Sequence, residues 1–346
     1  MNKNKYIANP TIQAITVDAS TFAVISSKKR FCIKGTGMAA AIHDIISHFK
    51  APAALEEVLS YLSKRYSATS LQKLFTLLID RDILIDEHEY TMISKYNEAF
   101  LEESFYYTLF GKPLEDVVGE LDSLRIGIIG TNQFVRLLMD CFARGSLLSN
   151  FIIGILDGKL SDYDNTTNMN IVNHSLHQDL SILKTIIKES DIVIAASLYH
   201  DHFLFNKIND YCIKENKKWL RVVVDGANAE VGPLFVPGET CCYSCLQTRR
   251  RQNLSSEEYT FDDLYESVQF HEDSKKNTIS FSSFYPLSSM AAGIAHSELM
   301  KHFVGMKCNL PNQVLLMDGL QFQTRIDYVY KDYICAACSR KEVANL

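Results

Sequence analysis

Apolar positions recur along this chain with two different periods. Thr11-Ile-Gln-Ala-Ile-Thr-Val17 and Thr21-Phe-Ala-Val-Ile25 are rich in β-branched residues and partly alternate, which predicts two short strands turned at Asp18-Ala-Ser20. Arg30-Phe-Cys-Ile-Lys34 predicts a third strand, closed by Gly35-Thr-Gly37. The period then changes to that of a helix. Met38 to Phe49 forms one such stretch, broken at Ala51-Pro52. Leu55 to Tyr66 forms a second, with Leu55, Val58, Leu59 and Leu62 on one face. A third starts at Ser67 or Thr69 as cap and carries Leu71, Leu74, Leu77 and Leu78, before Arg81-Asp-Ile-Leu-Ile85 ends as a small strand. Three strands, three helices and a closing strand predict a small winged-helix domain over residues 1–90.

Residues 91–123 read as a helical connector rich in aromatics and interrupted by Gly111-Lys-Pro113, with no site expected there. From 124 to 346 the pattern is that of a Rossmann-like α/β domain. Leu124-Arg-Ile-Gly-Ile-Ile-Gly130 is a buried strand ending in glycine, Phe134 to Arg144 a helix, and Phe151-Ile-Ile-Gly-Ile-Leu156 the next strand, with Asp157 at its end. Asp191-Ile-Val-Ile-Ala-Ala196 and Leu220-Arg-Val-Val-Val224 predict further strands. Asp262 to Lys276 reads as charged helix and Pro286 to Phe303 as a long one. Val314-Leu-Leu-Met317 and Gln323-Thr-Arg-Ile326 read as final strands.

Composition narrows the classes. A hydrophobic fraction of 47% over 346 residues supports more than one buried core. The net charge of −6 excludes a general nucleic-acid or anionic-membrane binder. The third helix offers phosphates only Lys73 before Arg81, so the winged helix is not expected to bind DNA. No apolar run reaches about 18 residues and the start, Met1-Asn-Lys-Asn-Lys-Tyr6, has no apolar signal core, so the expectation is a cytoplasmic chain that meets no membrane.

Nine cysteines fit a reducing compartment, and four of them form two C-x-x-C pairs, Cys242-Tyr-Ser-Cys245 and Cys335-Ala-Ala-Cys338. Each pair aims two thiolates at one point, and two pairs make the tetrahedral four-sulfur set of a structural zinc site, which leaves no open position for water. With residues 246–334 between the pairs, the metal would clip the tail to the body of a large domain. Cys241 adjoins the first pair, but only Cys242 keeps the two-residue gap to Cys245. His200-Asp201-His202 reads as a solvated loop, with metal ligation as the alternative. Gly130-Thr-Asn-Gln-Phe134 holds one glycine where a phosphate-binding loop needs several. The missing glycine fingerprint also weighs against a nicotinamide- or flavin-dependent oxidoreductase.

Val231-Gly-Pro-Leu-Phe-Val-Pro-Gly-Glu-Thr-Cys-Cys-Tyr-Ser-Cys245, the Pro286 helix and the terminal C-x-x-C resemble the ThiF-like, ubiquitin-activating-type superfamily over residues 124–340. Within it they look like the cyclodehydratase partners of azole-forming peptide biosynthesis, the ocin-ThiF-like proteins. The N-terminal order is similar to the PqqD-like recognition domain, in which a leader peptide adds as a strand beside the third strand and packs on the third helix. Carried over, that resemblance implies a strand edge at Phe31, Cys32, Ile33 and Lys34 and a helical wall at Gln72, Phe75, Thr76 and Ile79, with core packing the plain alternative for Phe75 and Ile79. The superfamily adenylates carboxylates with ATP and magnesium, and here its nucleotide site is reduced to Gly130 and Asp157. Position 159 is Lys, the arginine and glutamine expected in 158–167 are missing, and Ala196-Ser197-Leu198 stands where the magnesium acid belongs. The resemblance therefore implies a non-catalytic scaffold that captures a precursor leader and delivers it to a YcaO-type cyclodehydratase, with structural zinc, no expected ATP and a homodimeric assembly. The alternative is an active ATP-dependent adenylating enzyme acting on the precursor; a zinc-containing winged-helix regulator is a further rival.

Overall fold

The computed structural model describes residues 5–9, 12–25, 30–94, 121, 123–145, 150–157, 160, 170–176, 181–255 and 284–339. Most of the connector expected over 91–123, and the charged helix expected at 262–276, lie outside them. Contacts divide the chain into two compact units, Met1–Val118 and Gly119–Leu346.

In the first unit, β2 (Gln13–Asp18), β3 (Thr21–Ile25) and β4 (Arg30–Lys34) form an antiparallel sheet in that order, so β4 is an edge strand among the described residues. Alternation buries Phe22 and Val24 of β3 and Ile33 of β4 on one face. They meet α1 (Met38–His48), whose Ala39, Ile42 and Ile45 are buried, along with α2 (Leu55–Leu62) and α3 (Ala68–Asp80). The expected closing strand is β6 (Leu84–Asp86), and it joins a second small sheet with two strands the periodicity did not show: β1 (Lys5–Ala8) pairs with the two-residue β5 (Ala53–Ala54) on one side and β6 on the other. Helix α4 (Glu87–Ser94) follows.

The second unit is built on an eight-stranded mixed sheet. Its parallel half runs β9 (Asn170–Ser175), β8 (Asn150–Ile155), β7 (Arg125–Gly130), β10 (Ile192–Ser197), β11 (Lys218–Asp225). Antiparallel β12 (Asn228–Phe235), β13 (Gln313–Asp318) and β14 (Gln323–Tyr328) extend it. Helices cover both faces, as a parallel sheet requires. Helices α5 (Asn132–Gly145) and α9 (Tyr285–Phe303) pack together on one face. Helices α6 (Ile182–Glu189), α7 (His202–Glu215) and α8 (Tyr243–Asn253) cover the other. Trp219, Phe235, Phe205 and Tyr243 form an aromatic cluster beneath α7 and α8, with the Trp219 and Phe235 rings stacked 4.4 Å apart. The strand order reverses between β7 and β10, the place where open α/β sheets offer a crevice.

Candidate functional site

The first C-x-x-C pair starts a helix and the second closes a loop. Cys242 precedes the first turn of α8, which carries Cys245. Cys335 and Cys338 sit in a loop pinned by Ser339 Oγ donating to Asp332 O at 2.9 Å and by Ile334 N donating to Asp332 Oδ1 at 3.0 Å. All four Sγ atoms lie within 4.8 Å of one another, and Cys241 is not among them. The pairs Cys242–Cys245, Cys242–Cys335 and Cys245–Cys338 stand 3.7, 3.6 and 3.7 Å apart. A disulfide would bring two sulfurs to about 2 Å. Sulfurs about 2.3 Å from a central tetrahedral ion lie about 3.8 Å from one another, so this set can hold a metal ion. The thiol hydrogen bond from Cys242 pulls the Cys245 thiol down, while that same bond and burial push Cys242 up. Asp332 N–H also donates to Cys245 Sγ, at 3.4 Å.

The reduced nucleotide site assembles in part. Gly130 closes β7 against β10, where a Cβ would collide with the Ala196 carbonyl oxygen, so strand packing alone demands glycine there. Asp157 Oδ1 accepts the Asn132 backbone N–H at 2.7 Å. The carboxylate thus occupies an amide at the head of α5, where a phosphate loop would present donors to an anion.

The implied peptide groove is split by burial. Phe31, Cys32, Lys34, Gln72, Thr76 and Ile79 keep exposed or half-exposed side chains. Ile33 and Phe75 belong to the core instead: Ile33 pairs across from Phe22, and Phe75 packs edge-on against Phe49 at 6.0 Å. The Arg81 guanidinium lies 5.2 Å over the Phe31 ring.

His200-Asp201-His202 is neither a solvated loop nor, among the described residues, part of a metal cluster. Asp201 caps α7 by accepting from Leu204 N at 2.9 Å. His202 is buried, and its Nδ1 lies 2.9 Å from the Tyr243 hydroxyl. His200 joins a cluster that periodicity did not reveal. Arg221, wholly buried in the middle of β11, donates to Glu230 Oε2 at 2.7 Å and to His200 Nδ1 at 2.9 Å. Arg250 of α8 reaches the same Glu230 oxygen and the same His200 nitrogen. A guanidinium only donates, so His200 Nδ1 accepts and its proton sits on Nε2. Burial, with the two arginines adding to it, lowers His200 to about 3 and keeps it neutral. Burial opposes the charge on Glu230, but Arg221 and Arg250 outweigh it and hold the carboxyl well below its usual range. The available signal was Arg221 itself, a charged residue inside an apolar strand.

A cavity of about 750 Å³ opens over this cluster. Glu230, Arg250 and His200 form part of its lining, Leu246 and Val314 supply apolar wall, and Arg249 of α8 adds a further guanidinium.

The profile of the ThiF family matches residues 157–333. Among curated protein sequences none matches the chain. Among solved structures, the microcin C7 biosynthetic enzyme MccB in complex with N-formylated MccA superposes with a TM-score of 0.63 at 16% identity, covering 96% of this chain and 99% of that one. Escherichia coli MccB with AMPCPP and MccA gives 0.62 at 16% identity, covering 97% and 99%. The heterocyclase TruD gives 0.61 at 12% identity, covering 98% of this chain and 43% of its own length. At such identities the likeness is one of fold.

Proposed function

We propose that this chain, which belongs to the ThiF family, binds the leader of a ribosomally made precursor peptide and presents it to a separate YcaO-type cyclodehydratase without itself consuming ATP. The observation that carries the non-catalytic half is the Asp157 carboxylate bound to the Asn132 amide at the head of α5. A fixed negative charge there opposes a phosphate, and phosphoryl chemistry needs donors and charge neutralisation together. The recognition half rests on β4, an edge strand with exposed side chains at Cys32 and Lys34, and on its PqqD-like setting. MccB is named as a biosynthetic enzyme in complex with a peptide and TruD as a heterocyclase, which supports the peptide-modifying context. The ion between the cysteines is zinc, with a structural role, because four thiolates close its coordination. The working assembly is a homodimer in the cytoplasm.

The test is binding of a fluorescently labelled leader peptide to the wild type and to a Cys32→Pro variant. Gly35 N donates to Ser20 O, and the bonded pairs of β3 and β4 alternate from there, which turns the Cys32 amide outward, away from β3. Proline removes that donor, and leader binding should fall at least tenfold, while Cys32→Ser binds as the wild type does. Wild-type protein that ignores the leader overturns the reading. A second reading, adenylation of the precursor by the chain itself, is favoured by the likeness to MccB along both whole chains, one of whose structures carries AMPCPP. Magnesium-dependent ATP–pyrophosphate exchange, abolished by Asp157→Ala, would establish it in place of the scaffold.

A further inference from the structure

A pocket of about 370 Å³ lies in the second unit against the sulfur cluster, between α7, the end of β12 and the loop that carries Cys338. Its floor is buried and consists of the stacked rings of Trp219 and Phe235 with the thiols of Cys212 and Cys241. Neither thiol belongs to the metal set, and burial pushes the Cys212 thiol up and keeps it protonated, so both line the pocket as small apolar groups. The mouth opens at the exposed Gly238, where an added Cβ would meet nothing within 4 Å. One polar group breaks this surface. Asn209 of α7 is 1% exposed. Its Oδ1 accepts the Tyr243 backbone N–H at 2.9 Å, at the head of α8. That bond fixes the orientation of the side-chain amide and leaves Nδ2 as the donor end. Nδ2 is buried and has no acceptor among the described residues. A buried donor without an acceptor is costly.

We propose that this pocket binds a small neutral molecule that carries a carboxamide on an apolar body. Its carbonyl oxygen accepts from Asn209 Nδ2, and its body lies on Trp219 and Phe235. No lysine, arginine, histidine, aspartate or glutamate lines the pocket. Cys242 and Cys338 bring sulfurs of the cluster into the lining, and four thiolates outweigh the charge of a bound divalent ion. Such a wall repels a carboxylate or a phosphate and accepts an N–H, which an amide supplies and a ketone does not. The volume is at the lower end for ligand pockets and suits a molecule about the size of a substituted benzene. None of the lining residues is shared with the cavity over His200 and Glu230, so the site stands apart from leader capture and from nucleotide chemistry.

The experiment titrates the purified full chain, above neutral pH, with para-fluorobenzamide, para-fluorobenzoate and para-fluorotoluene. Affinity is read from fluorine line broadening. Place is read from the emission of Trp219, the chain's single tryptophan. The amide should bind at least ten times more tightly than either of the other two and should shift the Trp219 emission. Asn209→Asp keeps the oxygen that accepts from Tyr243 and removes the donor. It should weaken the amide to the level of the toluene and leave the toluene where it was. Melting temperature and metal content report whether that variant is folded, and the three wild-type titrations decide the matter even where it is not. No binding of any probe leaves Asn209 to water and overturns the proposal. Equal affinities for amide and toluene, tightest binding by the benzoate, or an amide that binds without moving the Trp219 emission also overturn it. So does a preference for the amide that survives in folded Asn209→Asp.

Discussion

Arg221 is the side chain on which the polar interior of the second unit depends. Its fellow residues in the middle of β11 are apolar, and it is tolerated there because Glu230 and His200 accept from its two terminal nitrogens, although its buried Nε meets no acceptor among the described residues. Arg221→Met is predicted to lower stability by about 3 kcal/mol, because Glu230 then keeps only the partly exposed Arg250 as a cationic partner. Urea denaturation measures this, and a loss under about 1 kcal/mol would mean that the cluster contributes little. The same residues set a pH dependence. His200 is held near 3 in the folded chain, against 6.5 for an ordinary histidine. The unfolded chain therefore takes up this proton first, and stability declines as the pH falls from about 6.5 towards about 3. His296, buried and lowered to about 4, acts in the same direction. Glu230, with its carboxyl depressed, adds to the decline once the pH drops below about 4.3. His200→Gln should flatten the slope between pH 6.5 and 4.5 in melting experiments without abolishing it, since His296 remains.

At the scale of elements, Gly130 tests what the end of β7 is for. Its Cα meets the Ala196 carbonyl of β10 so closely that a methyl group cannot fit. Gly130→Ala is therefore predicted to cost about 1–3 kcal/mol by forcing the two central strands apart. The loss should be the same with and without added ATP; a stability change seen only with nucleotide would assign the glycine to phosphate binding. Many elements were legible in the sequence because burial imposed a period on them, but helices α6, α7 and α8 and strand β12 were not among the expected ones. Strands β3 and β4, helices α1 to α3 and α9, and strands β7, β8, β10 and β11 follow from apolar spacing, whereas β2, exposed along its whole length, follows from its β-branched composition. The misses have physical causes. Strands β1 and β5 are four and two residues long, too short to show a period, and they exist because each completes the other's hydrogen bonds. Strand β9 is mostly polar and lies at the sheet edge, where one neighbour suffices. The metal cluster was visible because C-x-x-C is a local geometry. The arginine cluster joins β11, β12, α8 and the loop before α7, and the one sign of it within a single element is Arg221, charged in the apolar middle of its strand. Ile33 and Phe75 went the other way: an implied groove was drawn through positions that alternation and helical spacing assign to the core.

For the whole molecule, the cysteine cluster should divide stability between the two units. The second pair lies in the loop after the last strand, and its sulfurs meet those of Cys242 and Cys245 at the head of α8, so an ion there ties the end of the described chain to the body of the sheet. The first unit contributes no ligand. Metal binding energy is folding energy for the part that supplies the ligands, and only for that part. Elemental analysis of the purified chain should find about one zinc per chain. Calorimetry should resolve one transition for each unit. A chelator strong enough to strip the metal should lower the transition of Gly119–Leu346 and leave that of Met1–Val118 in place. Cys338→Ser or Cys245→Ser should reproduce that shift without chelator, whereas Cys241→Ser should keep the metal, its sulfur lying outside the cluster. A variant series in which both transitions move together would instead mean that the two units fold as one, and a wild type that carries no metal would leave the tail held by its packing and by hydrogen bonds such as Lys331 to the Gly238 carbonyl.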